Sequence, residues 1–409
     1  MKKVILLATA VFILMGVSFP INSYGAILFE DNFDYPYDWS PKQKKYPDSI
    51  EYWPANKVVG APPPPAGYFC YRVGGSMFTH VGHNTLCIDS TNHRGTSGKG
   101  LTVWNESDDR FWASDGILGI LLDPNGNGYE KLYIRFYMKF QPGWKWNTSN
   151  SPQQKMVRAS HYSNDGGNPF SFFQLGNHHP IWIADLAKWE KGTDPIAYFA
   201  SYGYENSGNP SLAVPPHQDN TNYFFQDKKG NKVDFWNNGM IGDGNWHCWE
   251  FYLKMNSAIG VPDGEQKFWY DGKLVAEMKD LAWSDETSVV KGTNGNKYCC
   301  ILRHQASENN RPITGTGWRK YWQLTGNKRQ GGEWVPNTYY GLSSSNPRSF
   351  WNFVAIGGNN FNAFAPNDKE AEQWYAIDDL VIADEYIGPE KNEKPASPKN
   401  LHMIDSHKH

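Results

Sequence analysis

The sequence has no long block of like charge. Its 39 lysines and arginines nearly balance 42 aspartates and glutamates, so the formal net charge is −3. A nucleic-acid-binding protein is expected to carry a basic stripe, because phosphate contacts dominate its affinity. The charge pattern therefore disfavours nucleic acid as a partner and favours neutral ligands.

Long apolar runs are also scarce. One run, residues 4–17, follows Lys2 and Lys3, and the polar stretch 20–25 follows it. A positive start, a short apolar run and small residues at its end are typical of a signal peptide, whereas a membrane span needs about 20 apolar residues. We predict a signal peptide over residues 1–25, cleavage after Gly25, and a secreted or periplasmic product without a membrane span. An uncleaved anchor is the alternative.

Cysteine is rare, with five residues in the chain. No C-x-x-C pair occurs, and Cys299 and Cys300 are adjacent, so the spacing matches no zinc ligand set. An exported location permits disulfides, and the odd number leaves at least one thiol free or paired between chains. Cys70 and Cys87 would close a short loop and are the first predicted pair.

Aromatic residues are abundant. The chain has 18 Trp, 23 Tyr and 22 Phe, which make up 15% of its residues. Disordered chains are poor in aromatic residues, so disorder is excluded for the body of the chain. Helical signals are few, and only residues 183–189 and 368–373 have the pattern of a helical turn or two. Residues 131–140, by contrast, alternate between apolar and polar side chains, as a strand does.

Strand signals recur along the rest of the chain. Two alternating segments join at Asp271-Gly272, a pair that tolerates the positive φ of tight hairpin turns. Further strands are predicted at residues 100–104, 117–122, 154–159, 171–175, 196–201, 249–255, 350–357 and 374–382. About a dozen short strands without helices between them predict an all-β protein, a two-sheet antiparallel β-sandwich or jelly roll.

Five segments occur in an order that is specific, although each alone is weak. They are SGKGL at 97–101, LYIRFYMKF at 132–140, DGNWHCWEFYLKMN at 243–256, FWYDG at 268–272 and YAIDDLVI at 375–382. Together they resemble exported bacterial proteins of the concanavalin A-like lectin/glucanase superfamily over most of residues 26–388. The resemblance implies a curved concanavalin-like jelly roll whose concave face holds sugar chains, with its first and last strands side by side. Lectins, glycosidases and polysaccharide lyases share this fold, so it does not decide the function.

Residues 291–342 are interpreted as a small aromatic-rich insertion. The stretch YCCILRH at 298–304 and the pair Gly317-Trp318 resemble chitin-binding-type modules of chitinases and phage tail proteins. This partial resemblance implies an inserted carbohydrate-binding module, and a long surface loop folded over its own rings is the alternative. Residues 389–409 lack apolar periodicity and are predicted to be a linker or disordered tail.

The acid pattern of retaining glycosidases is missing. Such enzymes need two carboxylates on one face of a strand, whereas Asp378 and Asp379 are adjacent and would face opposite ways. A polysaccharide lyase instead needs a cation or amide that neutralises a uronate carboxylate and a His or Tyr that removes the neighbouring proton. The candidates for these catalytic roles are Arg158, His161, Gln174 and His178. The alternative is that these polar residues line a binding groove or bond to loop backbone.

Rings in loop or insertion sequence are candidate sugar platforms, because the C–H face of a sugar packs on a flat aromatic ring. The candidates for carbohydrate binding are Trp144, Trp146, Trp318, Tyr321 and Trp322. The first two are spaced so that both would lie on one face of a strand.

Acidic residues lie near both ends of the predicted jelly roll. Asp31 and Asp378 are candidate ligands for a structural calcium ion, because neighbouring terminal strands would bring their carboxylates together. Turn capping or pairing with Lys and Arg is the alternative. Calcium is the one cofactor that the sequence suggests.

The sequence thus predicts an exported polysaccharide-binding protein that holds a glycan on the concave face of a jelly roll, with further aromatic contacts from the insertion. The first alternative is a lyase that cleaves a uronic-acid polymer by β-elimination. The second is a cell-surface adhesion or structural protein. The expected partner is a polysaccharide, and the oligomeric state is left open.

Overall fold

The computed structural model describes residues 26–41, 48–74, 83–105, 114–125, 128–145, 153–162, 168–170, 181–187, 196–200, 241–255, 257, 263–281, 290–291, 297–298, 318–325, 328–336, 350–360 and 372–390. The strands found there are β1 (Ile27–Asp31), β2 (Ile50–Tyr52), β3 (Cys70–Val73), β4 (Leu86–Asp89), β5 (Gly100–Asn105), β6 (Ser114–Leu121), β7 (Lys131–Phe140), β8 (Gln153–Ser160), β9 (Ile181–Ala187), β10 (Ile196–Ala200), β11 (His247–Lys254), β12 (Gly264–Tyr270), β13 (Lys273–Leu281), β14 (Val290–Lys291), β15 (Lys297–Tyr298), β16 (Trp318–Thr325), β17 (Lys328–Pro336), β18 (Phe353–Asn360) and β19 (Gln373–Ala383). No helix occurs within these ranges.

Two antiparallel sheets form the body of the fold. An eight-stranded sheet has the order β13-β12-β11-β7-β19-β5-β4, with β1 paired to β19, and a seven-stranded sheet has the order β10-β9-β8-β18-β6-β3-β2. The first and last strands lie side by side, with Asp31 opposite Leu380. The predicted all-β, two-sheet jelly-roll sandwich is confirmed, and so is the expected pairing of its terminal strands.

The main core lies between the two sheets. Strand β7 contributes Leu132, Ile134 and Phe136 to it, all fully buried. Trp182 of the seven-stranded sheet reaches Phe251 of the eight-stranded sheet, with ring centroids 5.1 Å apart. Burying a large apolar side chain of this kind contributes about 1.5–3 kcal/mol. Alternate residues of each strand supply this core, which leaves the others to form the two outer faces of the sandwich.

Several strands were predicted correctly from local signals in the sequence. Strand β7 has the predicted bounds, and β12 and β13 form the predicted hairpin. At its turn, Asp271 has φ 48° and Gly272 has φ 74°. These positive angles are the ones for which an Asp-Gly pair is suited.

The helical turn predicted for residues 183–189 is wrong, because Ile181–Ala187 is strand β9 between β8 and β10. Trp182, Ala184 and Leu186 alternate into the core. In such a short apolar run, periods of 2 and 3.6 residues are hard to distinguish. Of the second predicted helical turn, residues 368–373, the structure describes Glu372 and Gln373 alone, and Gln373 begins strand β19. The strand predicted at 171–175 lies outside the described residues.

The predicted Cys70–Cys87 disulfide is also wrong, since both thiols are free and buried, as is Cys248. Cys70 belongs to a small cluster on the outer side of the seven-stranded sheet. Cys87 lies between the core residues Leu86 and Ile88 on the eight-stranded sheet and faces outward. The sandwich separates the two thiols, and packed sheets are about 10 Å apart, beyond the reach of a disulfide.

Strands β14 to β17 form two small hairpin sheets, β14 with β15 and β16 with β17. In the described residues neither pairs with a main sheet. The insertion at 291–342 and its carbohydrate-binding role stay predictions. The predicted signal peptide lies outside the described residues, and so does the predicted tail beyond Glu390. None of the described residues belongs to a helix long and apolar enough to cross a membrane.

Residues 384–390 form a segment that we call the C-terminal strap. It crosses the outer face of the eight-stranded sheet, where the backbone N–H groups of Ile387 and Gly388 donate to the Glu250 carboxylate at 2.8 and 2.9 Å. The N–H of Glu390 donates to the Tyr137 hydroxyl at 2.9 Å. The chain is therefore bound to the sandwich up to Glu390, one residue beyond the start of the predicted tail.

Candidate functional site

The outer face of the seven-stranded sheet carries a second, smaller cluster of buried residues. It consists of Cys70, Ile117, Tyr162, Phe170, Phe353 and Ala355, with Trp53, Phe69 and Leu121 packed against it and partly exposed. Neighbouring residues of the same strands, such as Leu118 and Val354, belong to the main core instead. This face is thus apolar in its middle and reaches solvent toward the β2–β3 edge.

At that edge lie five residues that we call the outer-face patch: Glu51, Trp53, Phe69, Arg72 and Asn168. Arg72 Nε lies 3.2 Å from Glu51 Oε1, and both side chains are partly exposed. Asn168 Nδ2 donates to the other Glu51 oxygen at 2.8 Å. The patch therefore has two half-buried rings and an ordered set of charged and amide groups on the same face of the sheet.

The local backbone explains why these groups meet. Glu51 of β2 is the direct cross-strand partner of Arg72 of β3, so their side chains share a face. A tight turn follows β2, in which Asn56 N–H donates to Trp53 O at 2.8 Å and Asn56 Nδ2 donates to Glu51 O at 2.7 Å. These bonds fix Trp53 next to the pair.

Arg158 lies on the same face but below the surface. Only 4% of the residue is exposed. Its guanidinium lies 5.6 Å from the centroid of the Phe353 ring, and its Nη2 donates to Pro169 O at 3.1 Å. Burial raises the pKa of the nearby Cys70 thiol well above its usual value, and the charge of Arg158 offsets part of that rise. Arg158 thus contacts the small cluster and loop backbone.

His161 follows the end of β8 and is also only 4% exposed. Its Nδ1 lies 2.9 Å from Phe350 O, and burial lowers the pKa of its imidazole. The imidazole Nδ1 therefore donates to a backbone carbonyl, whereas Arg158 contacts Phe353 and Pro169. The other two lyase candidates, Gln174 and His178, lie outside the described residues.

Trp144 is not a surface platform. It is 3% exposed and packs edge-to-face on Phe140, with centroids 5.0 Å apart. The expected strand spacing does not apply, because residues 141–144 form a turn: Gly143 has φ 74°, and Trp144 N–H donates to Gln141 O at 3.0 Å. The turn directs the indole into the core. Trp146 lies outside the described residues, and Trp318, Tyr321 and Trp322 lie on β16, where the backbone alone is described.

The two candidate calcium ligands lie on opposite faces of the eight-stranded sheet. Asp31 is opposite the core residue Leu380, whereas Asp378 is opposite Tyr137, which faces outward. Asp31 accepts from Phe33 N–H and the Tyr35 hydroxyl, both at 2.7 Å, and Asp378 accepts from Arg94 N–H at 2.7 Å. The described residues contain no group of three or more His, Cys, Asp or Glu side chains able to hold a metal. These two carboxylates do not fit one calcium site, and calcium binding stays a prediction.

Asp31 should make stability depend on pH. Its burial raises the pKa of the carboxyl to about 6 from 3.8, and the bonds from Tyr35 and Phe33 offset part of the rise. The folded state then holds the proton more tightly than the unfolded state. The ionised side chain therefore lowers the free energy of unfolding above about pH 6, and this cost decreases as the pH falls toward 3.8. We expect Asp31→Asn to raise the free energy of unfolding at pH 7.5 by about 1–3 kcal/mol, measured by urea denaturation, and to do so much less at pH 4.5.

The matched control for this prediction is Asp38→Asn, because the Asp38 side chain is exposed and pairs with Lys99. It should change stability little at either pH. An equal effect of both substitutions, or a loss of stability in Asp31→Asn at pH 7.5, would contradict the assignment.

The outer-face patch was missed by sequence reasoning. The segment Ile50-Glu-Tyr-Trp53 does alternate, with Ile50 inward and Glu51 outward, which could have identified a strand. The pairing of β2 with β3 could not be predicted from the sequence, because it depends on contacts between segments that are distant in the chain. Without that pairing, nothing connects Glu51 with Arg72.

No protein-family model and no curated protein sequence matches the chain. Among solved structures, the endo-β-1,4-glucuronan lyase from the fungus Trichoderma reesei is 9% identical, with a TM-score of 0.32 and coverage of 74% of this chain and 87% of that one. The alginate lyase Aly36B is 10% identical, with a TM-score of 0.34 and coverage of 82% and 96%. The binding domain of botulinum neurotoxin serotype C1 is 11% identical, with a TM-score of 0.27 and coverage of 73% and 42%. Likenesses this weak establish no function, and the fold assignment rests on the sheet topology of this chain.

Proposed function

We propose that this chain is an exported polysaccharide-binding protein that holds a glycan against the outer face of its seven-stranded sheet, at the outer-face patch. The observation that carries the proposal is that the partly exposed rings of Trp53 and Phe69 pack on the small cluster of the same sheet face that carries the Glu51–Arg72 pair. A pyranose ring packs its C–H face on an aromatic ring. Its hydroxyl groups exchange hydrogen bonds with carboxylate and guanidinium groups, which are stronger than bonds between neutral partners.

Binding is favoured over β-elimination by the burial of the described catalytic candidates. A general base must come within about 3 Å of the proton that it removes. His161 is almost fully buried and bonded to Phe350 O, so its ring does not face a substrate on the sheet surface. Arg158 is buried as well, although it lies on the same face as the patch. The lyase alternative therefore depends on Arg158 together with residues outside the described ranges.

Export through the segment 1–25 and additional contacts from Trp318, Tyr321 and Trp322 are further parts of the proposal. They are supported by the signal-peptide pattern and by the partial module resemblance in the sequence.

The test is affinity electrophoresis of the mature protein in gels that contain alginate, glucuronan, galactomannan or hydroxyethylcellulose. We expect at least one polymer to retard the protein, and we expect Trp53→Ala and Arg72→Ala each to weaken binding about tenfold, which corresponds to about 1.4 kcal/mol. Tyr37→Ala is the control, since Tyr37 is 51% exposed, stacks on Tyr35 and is not one of the patch residues.

Retardation that is unchanged in Trp53→Ala and Arg72→Ala would contradict the assignment of the patch. A rise in the ultraviolet absorbance of unsaturated uronates during incubation with alginate or glucuronan, abolished by Arg158→Ala, would show a lyase instead of a binding protein.

A further inference from the structure

The outer face of the eight-stranded sheet carries its own group of accessible rings. Tyr386 of the C-terminal strap is 48% exposed, and its ring centroid lies 5.1 Å from that of Trp269, which is half-buried. Tyr133 lies 6.3 Å from Trp269 and 6.2 Å from Tyr386. Three rings from β7, β12 and the strap thus meet on the side of the sandwich opposite the outer-face patch.

The position of these rings is fixed by the fold. Trp269 lies between the core residues Phe268 and Tyr270 on β12, so strand alternation turns its indole outward. Tyr386 is held over the sheet because the next two residues, Ile387 and Gly388, donate their N–H groups to Glu250. A site whose rings are held by the scaffold loses little freedom when a ligand binds.

The angle between the two rings limits the size of a ligand. The planes of Trp269 and Tyr386 meet at 49°, and those of Tyr133 and Trp269 at 34°. Such planes form a corner instead of a flat strip. One six-membered sugar ring can stack on the indole while its edge meets the phenol, whereas a straight run of stacked sugars would need coplanar rings.

Three lysines and three glutamates lie beside this corner, namely Lys254, Lys267, Lys279, Glu265, Glu277 and Glu385, the last being the residue before Tyr386. Lys267 bridges Glu265 at 3.2 Å and Glu277 at 3.1 Å. Lys254 pairs with Glu265 at 3.1 Å, and Lys279 pairs with Glu277 at 3.4 Å. These ion pairs offer donors and acceptors to hydroxyl groups, but each lysine is already paired with a glutamate, and the carboxylate of Glu385 supplies the third negative charge. The surroundings therefore suit a neutral sugar better than a uronate.

We infer that Trp269 and Tyr386 form a second carbohydrate site, on the outer face of the eight-stranded sheet, that takes a single pyranose ring of a neutral glycan. A single ring is presented by a chain end or by a one-sugar branch. The site is separate from the outer-face patch, and it exists regardless of what that patch binds.

The test uses galactomannan, a neutral polymer with single-sugar branches, in affinity electrophoresis. All variants are made in a protein that also carries Trp53→Ala and Arg72→Ala, so that retardation no longer reports the outer-face patch. We expect this parent to be retarded by galactomannan, and we expect Trp269→Ala and Tyr386→Ala each to raise the apparent Kd about tenfold. Trp269→Phe, which keeps a ring, should lose less than Trp269→Ala.

The matched control is Tyr37→Ala, which removes an equally exposed ring elsewhere and should leave the apparent Kd unchanged. If Trp269→Ala does not fold, Tyr386→Ala still tests the site, because about half of that residue is in solvent. The inference is overturned if galactomannan does not retard the parent, or if Tyr386→Ala binds as the parent does. It is also overturned if polygalacturonate is the one polymer whose retardation of the parent depends on this site.

Discussion

Replacing Glu250 with alanine is expected to lower the free energy of unfolding by about 3–5 kcal/mol, one of the two largest effects that the structure predicts, because each buried donor left without an acceptor costs about 1–3 kcal/mol. Glu250 is 1% exposed and accepts the N–H groups of Ile387 and Gly388. It lies directly opposite Arg135 on β7, which donates to Gly388 O at 3.3 Å and to Glu390 at 3.1 Å. Alanine would leave the two backbone donors of the strap without an acceptor, while Arg135 would keep its ion pair with Glu390.

The control is Glu265→Ala on the adjacent strand. Glu265 also faces outward and contacts Lys254 and Lys267, but its side chain is 22% exposed. Exposed pairs of this kind contribute about 0–1 kcal/mol, so urea denaturation should separate the two variants clearly. Hydrogen exchange at the Ile387 and Gly388 amides should accelerate in Glu250→Ala but not in Glu265→Ala. Equal stability losses in the two variants would show that the strap is not held as described.

The strands that were predicted correctly carry local signals. β7 alternates over ten residues, and the β12–β13 turn has an Asp-Gly pair whose positive φ values the structure contains. Both features depend on neighbouring residues. The order of strands depends on distant ones, which is why the position of β7 between β11 and β19 could not be read from the sequence.

The errors at the candidate site have the same origin. Trp144 and the pair Cys70 and Cys87 were judged from spacing along the chain, but a turn directs Trp144 inward and the sandwich separates the two thiols. The sequence could supply a list of rings and polar residues. It could not divide the rings between the core and the two outer faces, because that division depends on which strands pair. The pairing of β2 with β3 and the path of the strap over β11 and β12 decide that Trp53 and Trp269 reach solvent.

Among the glycines in the described part of the chain, Gly357 is the position where adding one methyl group should cost most. It lies on β18 between β6 and β8, with φ 89°, and a Cβ atom there would overlap the carbonyl oxygen of Gly116 on β6. An L-residue in this backbone region costs about 1–2 kcal/mol, and the overlap with backbone cannot be relieved by a side-chain rotation. We expect Gly357→Ala to lower the free energy of unfolding by about 4 kcal/mol or more, or to prevent folding.

Gly60→Ala separates the cost of the positive φ from the cost of the overlap with Gly116. Gly60 has a similar φ of 80°, but a Cβ atom there would meet nothing within 4 Å. Its substitution should therefore cost about 1–2 kcal/mol, the backbone term alone. The difference between the variants, measured by urea denaturation, then reports how closely β18 and β6 approach.

Because Phe353 and Ala355 of β18 support the small cluster beneath the outer-face patch, a folded Gly357→Ala protein should also bind glycan more weakly than Gly60→Ala. Equal stability of the two variants would mean that β18 and β6 lie further apart than described, and that the frame beneath the patch is different.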